Sequence, residues 1–578
     1  MAHTIQYRKR DYLSWSYQRI IRNKFIIEFL LLLSLVSLIY IQFNSSFIKS
    51  TYSLIQEIND SNGNIILVVD EDQHANDLQP LYCNLHNKRK AENAYTHVIA
   101  TGRGISGKKL IKSNSLLSNC DVPVYDLKLQ KDDENILMPV IREISDILNQ
   151  IRPDVLIYIN DPKNEAMRGV DAALVAASQI NNTITKIALP IEQAKYMMWL
   201  TDLSIEALKS WNAPKIQIQV ITQNRPQSLS RLMQSLNSSI YFGDNVHLMI
   251  NIDRKADPVT IKYCQTFEWP FGPMNIKYRI QQGGLITAVV ESYYPTTNDD
   301  YAIILEDDIE VSPFFYIWAK YSILKYRYGN DKNLVSRLYG ISLYNTRLNE
   351  FNITTGRRPF NAAEVLQDTK YPNNSPYLSQ IPCSWGVLFF PEIWREFHNY
   401  LNARLEDIAG PNLQQIEVPE SRSNIWRKNS WKRYFIELIY LRGYLMLYPN
   451  YENFVSFSTN HAEKGMHFGF DKLQKGLWLL PLMEEDMISK GLPDNHLPDY
   501  KDLPIMDFWG HLVTQKELIQ RGRSFQSEIS ICPPNNSDEL TYDPQDLLCV
   551  DTSTLSNDVN TNEPTDKKKN PTKKKTKQ

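Results

Sequence analysis

Apolar residues along this chain gather into short, nearly continuous runs separated by stretches with helical spacing. The runs Asn64–Asp70, Tyr95–Thr101, Val122–Leu127, Val155–Asn160 and Thr185–Pro190 are β-rich, and helical patterns such as Met138–Gln150 and Asn164–Gln179 lie between several of them. Strands alternating with helices predict a parallel sheet covered on both faces, and residues 63–198 read as a first α/β domain. Trp199 to Pro214 reads as a helical linker.

A second domain, 215–548, opens with the strand Lys215–Thr222, in which Ile216, Ile218, Val220 and Ile221 are the apolar positions. The turn Gln223-Asn224-Arg225-Pro226 leads into a helix over Ser228–Asn237, with Leu229, Leu232, Met233 and Leu236 on one face. Two further strands, Val246–Asp253 and Tyr301–Leu305, end in acids, the first in Asp253 and the second in Glu306-Asp307-Asp308. The pattern continues with a helix over Phe314–Tyr328, a strand over Leu338–Leu343, the apolar segment Cys383–Phe390 and a helix over Pro391–Leu405. In an open α/β sheet, ligands bind beyond the carboxyl ends of the strands. Gln223, Asn224, Arg225, Asp253 and Glu306 to Asp308 all fall there, although they are distant in sequence.

The ends of the chain depart from this pattern. Phe25–Phe43 is apolar apart from Glu28, Ser34, Ser37 and Gln42, and as a helix reaches roughly 28 Å, the thickness of a thin bilayer. Arg8, Lys9, Arg10, Arg19, Arg22 and Lys24 precede it, so the positive-inside rule predicts a single-pass type II anchor. Residues 1–24 then form a cytosolic tail and 44–62 a stem, with the catalytic domain in the lumen of the Golgi or endoplasmic reticulum. A cleaved signal peptide is the alternative for the run. The tail 549–578 is polar and ends in lysine clusters at Lys567–Lys569 and Lys573–Lys575, the composition of a disordered segment.

Charge and composition narrow the chemistry. The 578 residues carry a formal net charge of -2, which argues against a nucleic-acid partner. Sequons at Asn59, Asn181, Asn237, Asn352, Asn373 and Asn535 agree with export, and the six cysteines lack zinc-ribbon spacing. Cys532 and Cys549 are the nearest pair for a local disulfide, with free thiols as the other reading. Gly102-x-Gly104-x-x-Gly107 spells a dinucleotide fingerprint, but Lys108 and Lys109 follow it and no ribose acid is evident, so an ordinary glycine loop is preferred. Breaking an anomeric bond to a nucleoside diphosphate builds charge on the departing phosphates. Hard Mn²⁺ or Mg²⁺ on one or two carboxylates can stabilise that charge. Glu306-Asp307-Asp308, directly after a buried strand, has this character; a solvated acidic turn before Pro313 is the plainer reading.

The order Ile221-Thr222-Gln223-Asn224-Arg225-Pro226, then Asp253, then Leu305-Glu306-Asp307-Asp308-Ile309-Glu310-Val311-Ser312-Pro313-Phe314-Phe315 resembles the catalytic domain of the N-acetylglucosaminyltransferase I group. More broadly it is similar to GT-A fold, family 2-type glycosyltransferases, over roughly Lys215 to Phe470. The resemblance implies a Rossmann-like mixed sheet and an inverting hexosyl- or N-acetylhexosaminyl-transferase. Its donor would be a UDP- or GDP-sugar, with Mn²⁺ or Mg²⁺, and its acceptor a glycan, glycoprotein or glycolipid. It also implies that Asp308 ligates the metal, that Glu306 and Asp307 face donor sugar and ribose, that Arg225 and Asp253 contact diphosphate and base, and that the Gly283-Gly284-Leu285 loop lies near the donor. His461 either completes the metal shell, as a downstream histidine does in many GT-A enzymes, or meets a phosphate.

One departure stands against this. Where the family has a Trp-Asp-Asp-Trp-like segment that supplies the base, this chain has Ser430-Trp431-Lys432-Arg433. Glu437 is the replacement base on this reading, with Asp407 and Glu463 as alternatives. Trp385, Trp426 and Trp431 offer faces for sugar stacking or for the core. The competing function is a catalytically inactive GT-A fold acting as a tethered glycan-binding or scaffold protein.

Overall fold

The computed structural model describes residues 63–70, 72–101, 120, 122–127, 136–180, 184–405, 416–426, 428–463, 478–530, 532 and 539–548. Two compact units divide the chain, Met1–Ile157 with Pro162–Ile184 and Tyr158–Asp161 with Thr185–Gln578.

In the amino-terminal half, the elements run β1 (Gly63–Val69), α1 (Asp72–Ala91), β2 (Ala94–Ala100), β3 (Val124–Asp126), α2 (Leu137–Ile151), β4 (Val155–Asn160), α3 (Glu165–Ile180) and β5 (Thr185–Pro190). Among the described residues these strands form a sheet of order β3-β2-β1-β4-β5, with β1, β2 and β3 parallel. β1 is buried along its whole length, as its uninterrupted apolar run predicts for a central parallel strand. Helix α2 buries Val140, Ile144, Leu148 and Ile151, an i, i+4, i+8, i+11 stripe. A disulfide joins Cys83 to Cys120. At the carboxyl edge, Thr101 donates to Asp70 Oδ1 at 2.7 Å and the Asn164 amide donates to Asp70 Oδ2.

In the second unit the chain continues through β6 (Lys215–Thr222), α4 (Pro226–Asn237), β7 (Leu248–Ile252), α5 (Pro258–Thr266), β8 (Met274–Tyr278), α6 (Gly284–Val290), β9 (Asp300–Glu306) and β10 (Ile309–Val311). Then come α7 (Phe315–Arg327), β11 (Leu338–Ser342), the hairpin β12 (Leu348–Asn352) and β13 (Gly356–Pro359), β14 (Tyr377–Ser379), β15 (Val387–Phe389) and α8 (Pro391–Leu405). The remainder is α9 (Trp431–Arg442), β16 (Leu445–Tyr448), β17 (Ser458–Asn460), β18 (Ile505–Met506) and α10 (Gln515–Ile529). Among the described residues the main sheet has nine strands in the order β18-β14-β16-β11-β15-β9-β6-β7-β8. β9, β6, β7 and β8 are mutually parallel neighbours, whereas β15 runs antiparallel to β9 and β11. The fold is thus mixed α/β with a parallel, Rossmann-like half.

The winding of that half sets up the site. From β6 the chain moves outward to β7 and β8, then crosses back to place β9 on the other side of β6. The carboxyl ends of β6 and β9 therefore lie side by side with their connections leaving in opposite directions, the arrangement that opens a crevice in doubly wound sheets. Burial drives it: Tyr301 to Leu305 of β9 are all buried, and α4 buries Leu229, Leu232, Met233 and Leu236.

The expectation of a single-pass type II membrane protein of the Golgi or endoplasmic reticulum is corrected. Among the described residues no helix is long and apolar enough to cross a membrane. The 20-residue helix α1 has the length but ends in Lys88, Arg89 and Lys90. Phe25–Phe43, the stem 44–62, the Gly102–Gly107 loop and the tail 549–578 lie outside the described residues. Cys532 is disulfide-bonded; Cys549, its expected partner, lies outside them.

Candidate active site at the β6/β9 switch point

β6 ends at Thr222, opposite β7, and its penultimate residue Ile221 is in register with Glu306 at the end of β9. The chain leaves β6 through Gln223 and Asn224, and Pro226 begins α4, where a missing backbone donor costs nothing. That early start fixes Arg225 at the helix entrance, beside the turn that leaves β9. Its guanidinium makes an ion pair with Asp307 and a second with Asp308 Oδ2 at 3.4 Å. Thr222 donates its hydroxyl to Asp307 Oδ2 at 2.8 Å, and the Asp307 amide donates to Ile221 O at 3.1 Å.

The acids differ in environment. Asp307 is buried, and burial pushes its carboxyl up to about 6, against the opposing pull of Arg225 and the Thr222 hydroxyl. Glu306 is half-buried and goes up to about 8, through desolvation first and then the charges of Asp308 and Asp307, with Arg225 and Lys432 pulling the other way. Arg225 loses through desolvation, but the charges of Asp307, Asp308 and Glu306 outweigh that and raise it above its ordinary value. Asp308 Oδ1 is buried and has no hydrogen-bond partner among the described residues. A buried carboxylate oxygen without a donor is costly unless a cation reaches it.

A short antiparallel pair flanks the turn. β10 pairs with β17 so that Glu310 faces Thr459, and the His461 amide donates to Asp308 O at 3.0 Å. His461 Nε2 lies 2.6 Å from Glu310 Oε2. Glu310 is absent from the candidates that the sequence suggests, although it stands two residues after Asp308.

Of the other candidates, Gln223 and Asp253 stay at this edge: Gln223 donates to Arg254 O at 2.8 Å, and Asp253 Oδ1 accepts from the Arg254 amide at 2.8 Å. Asn224 is exposed. Gly283 and Gly284 open α6; Gly284 has φ +67 and open space where a Cβ would stand. Glu463 sits by the entrance of α4, paired to Arg231 at 3.1 Å. Slight burial raises its carboxyl, but hydrogen bonds from Arg231 and Ser228 and the charge of Arg225 hold it below its ordinary value. Glu437 is buried on α9 and accepts from Tyr400 and Arg404, each at 3.1 Å, with Arg433 at 3.9 Å. Burial raises its carboxyl despite those partners. Lys432 lies 3.6 Å from Glu350 and contributes to the field at Glu306. Trp431 is core, packed edge-on to Phe389, while Trp385 is half-buried against Tyr344 and Trp478. Asp407 lies outside the described residues.

Among the described residues no group of three or more His, Cys, Asp or Glu side chains could hold a metal ion. The unpartnered oxygen of Asp308 nonetheless suits a hard cation that takes few protein ligands and draws the rest from water and phosphate.

Two family models match the chain, the SPBC1E8.03c N-terminal domain over residues 50–211 and the SPBC1E8.03c C-terminal domain over residues 227–409. No curated protein matches it. Solved structures similar to it include S. aureus TarS 1-349, at 11% identity over 41% of this chain with a TM-score of 0.25, and GalNAc-T7 with UDP, GalNAc and Mn²⁺, at 14% over 43% with 0.27. The mannosyltransferase PcManGT from Pyrobaculum calidifontis, in complex with GDP-Man and Mn²⁺, is similar at 11% identity over 45% with a TM-score of 0.25. The chain spans 58%, 44% and 61% of those three structures.

Proposed function

We propose that this protein is a metal-dependent glycosyltransferase that moves a sugar from a nucleotide-sugar donor to a hydroxyl of a glycan, glycoprotein or glycolipid. The observation that carries the reading is Arg225 at the β6/β9 switch point, bound to Asp307 and Asp308 while Asp308 Oδ1 stays buried and unpartnered. A crevice at such a point suits a nucleotide, and a guanidinium beside a carboxylate suits a diphosphate bridged by a cation.

On this reading Asp308 and His461 would hold Mn²⁺ or Mg²⁺, which when bound offsets the charge building on the leaving diphosphate. Arg225 would turn part of its guanidinium to the same phosphates. Gln223, Asn224 and Asp253 line the nucleotide side, Gly283 and Gly284 allow close backbone approach, and Glu306 faces the sugar, while Asp307, buried against Thr222 and Arg225, holds Arg225 in place instead of meeting the donor. The acceptor oxygen bonds to the anomeric carbon as the bond from that carbon to the phosphate oxygen breaks. The acceptor proton passes to a carboxylate and the nucleoside diphosphate leaves. Glu463 suits that base better than Glu437 because it is partly open to solvent and close enough to Arg225 to feel its charge, whereas Glu437 is buried. Glu437 is committed to Tyr400 and Arg404.

The same observation on Glu437, with Lys432 and Arg433 on the helix where the resembled family has acids, favours one second reading. It is a fold that binds a nucleotide sugar without turning it over.

The purified full chain, incubated with a panel of UDP- and GDP-sugars with and without Mn²⁺, tests both. A transferase hydrolyses one donor slowly in Mn²⁺ and loses this by about 100-fold or more in Asp308→Ala. Thermal stabilisation by a donor without turnover selects the second reading. Neither turnover nor stabilisation by any donor ends both.

A further inference from the structure

We infer that the cavity lined by Tyr344, Trp385, Tyr448, Trp478, Glu350 and Lys432 is the acceptor subsite, and that it takes an uncharged pyranose laid against Trp385. The inference rests on the glycosyltransferase reading and narrows its acceptor to a sugar ring rather than a peptide or a lipid.

Three observations carry it. The first is place. β15 runs antiparallel to both β9 and β11, and β16 runs parallel to β11. Trp385, just before β15, Tyr344, just after β11, and Tyr448, at the end of β16, therefore stand at the sheet edge where Glu306 ends β9. β15 is the direct neighbour of β9, so the cavity adjoins the candidate donor crevice on its antiparallel side. Lys432 joins the two, since it lines the cavity and its charge acts on Glu306.

The second is the surface on offer. Tyr344, Tyr448 and Trp478 are buried, and the two tyrosine hydroxyls donate to backbone, Tyr344 to Trp478 O at 3.1 Å and Tyr448 to Ile381 O at 2.8 Å. These tyrosines thus present rings rather than hydroxyls. Trp385 is only half-buried, with the Tyr344 ring edge-on at 4.9 Å and Trp478 at 5.5 Å between centroids. A partly open indole in a concave aromatic wall suits the C–H face of a sugar.

The third is the polar pair. Lys432 Nζ lies 3.6 Å from Glu350 Oε1, longer than a direct hydrogen bond, while Arg357 donates to Glu350 Oε2 at 3.3 Å. Oε1 and the ammonium both keep bonding capacity, and a sugar hydroxyl can donate to the first and accept from the second. Opposite charges side by side call for a ligand without net charge, and an acidic sugar would meet Glu350 as a like charge.

Saturation-transfer difference NMR on the full chain, with and without UDP or GDP, tests this on the methyl glycosides of glucose, galactose, mannose, N-acetylglucosamine and glucuronic acid. At least one neutral glycoside should bind, with transfer strongest at the ring protons of one face, and the glucuronide should not. Trp385→Ala should weaken that binding about 10-fold or more, and Trp385→Phe should recover part of the loss. Glu350→Gln and Lys432→Met should each weaken it several-fold; they leave the rings in place and carry the test if Trp385→Ala does not fold. No binding of any neutral glycoside, preference for the glucuronide, or affinity unchanged by these substitutions would overturn the inference. If a donor is turned over in Mn²⁺ while no glycoside binds, the transferase reading stands and the inference alone falls. If a neutral glycoside binds through Trp385 but no nucleotide sugar is turned over or stabilises the protein, the cavity is a sugar site and its role as an acceptor subsite falls with the transferase reading.

Discussion

Two sheets in this molecule are wound alike and used differently. In each, the chain lays two strands outward from a central strand and then crosses to its other side, giving β3-β2-β1-β4 and β8-β7-β6-β9. In each, an aspartate stands at the carboxyl edge where that crossing opens a crevice. In the first sheet both oxygens of Asp70 are taken, one by Thr101 and one by Asn164. In the second, Asp307 and Asp308 share an arginine, and one oxygen of Asp308 is buried with no donor among the described residues. Winding makes the crevice. Whether the crevice calls for a ligand depends on whether its polar atoms have already found partners.

The comparison breaks most sharply at Arg225. Replacing it by Met strands a buried carboxylate at Asp307 and should cost about 3–5 kcal/mol of stability, read as a lowered unfolding midpoint in urea near neutral pH. Part of that loss should return on acidification. Asp307, at about 6 against an ordinary 3.8, and Glu306, at about 8 against 4.5, bind their protons more tightly folded than unfolded. Their contribution to stability is therefore complete below pH 3.8 and 4.5 and falls away as pH rises to 6 and 8 respectively. Asp307→Asn should flatten the lower part of that slope in a urea midpoint series across pH. A slope unchanged by the substitution would remove Asp307 from the account. The smallest effect belongs to the closed crevice: Asp70→Ala should cost about 1–3 kcal/mol, with Mn²⁺ affinity unaltered, because its partners are hydrogen-bond donors rather than a ligand. A change in nucleotide or metal binding there would make the two sheets functional equals.

Much of the second sheet is legible in the order of residues alone. β6 spans Lys215–Thr222 as its apolar positions predict, and β9 extends the predicted run by one residue at each end. Both are buried strands whose composition leaves little alternative. Helix α4 starts at Pro226 rather than Ser228, since proline is favoured in the first turn. Helix α1 is hidden from a periodicity argument because it is polar and carries Pro80 inside. Helix α10 buries Leu518, Gly522, Phe525, Gln526 and Ile529, a helical stripe diluted by a glycine and a glutamine, and its clearest signal is a local one, the capping box that Thr514 and Glu517 spell. At the site, the acids and Arg225 can be read from strand ends. The Glu310–His461 contact cannot, because it joins residues 151 positions apart through a pairing of two three-residue strands.

On the proposed metal-dependent reading, Arg225 also bears on the order in which ligands arrive. An arginine stays charged at any pH a cell offers, so Asp307 and Asp308 hold a tethered counter-ion at all times. The protein can fold without waiting for a divalent ion, and the acids by themselves exert little pull on one. That pull grows when a diphosphate adds its own negative charges and gives the guanidinium something else to hold. Cation and nucleotide should then load as a couple: Mn²⁺ should bind several-fold more tightly with UDP or GDP present than alone, and equal affinities would refute it.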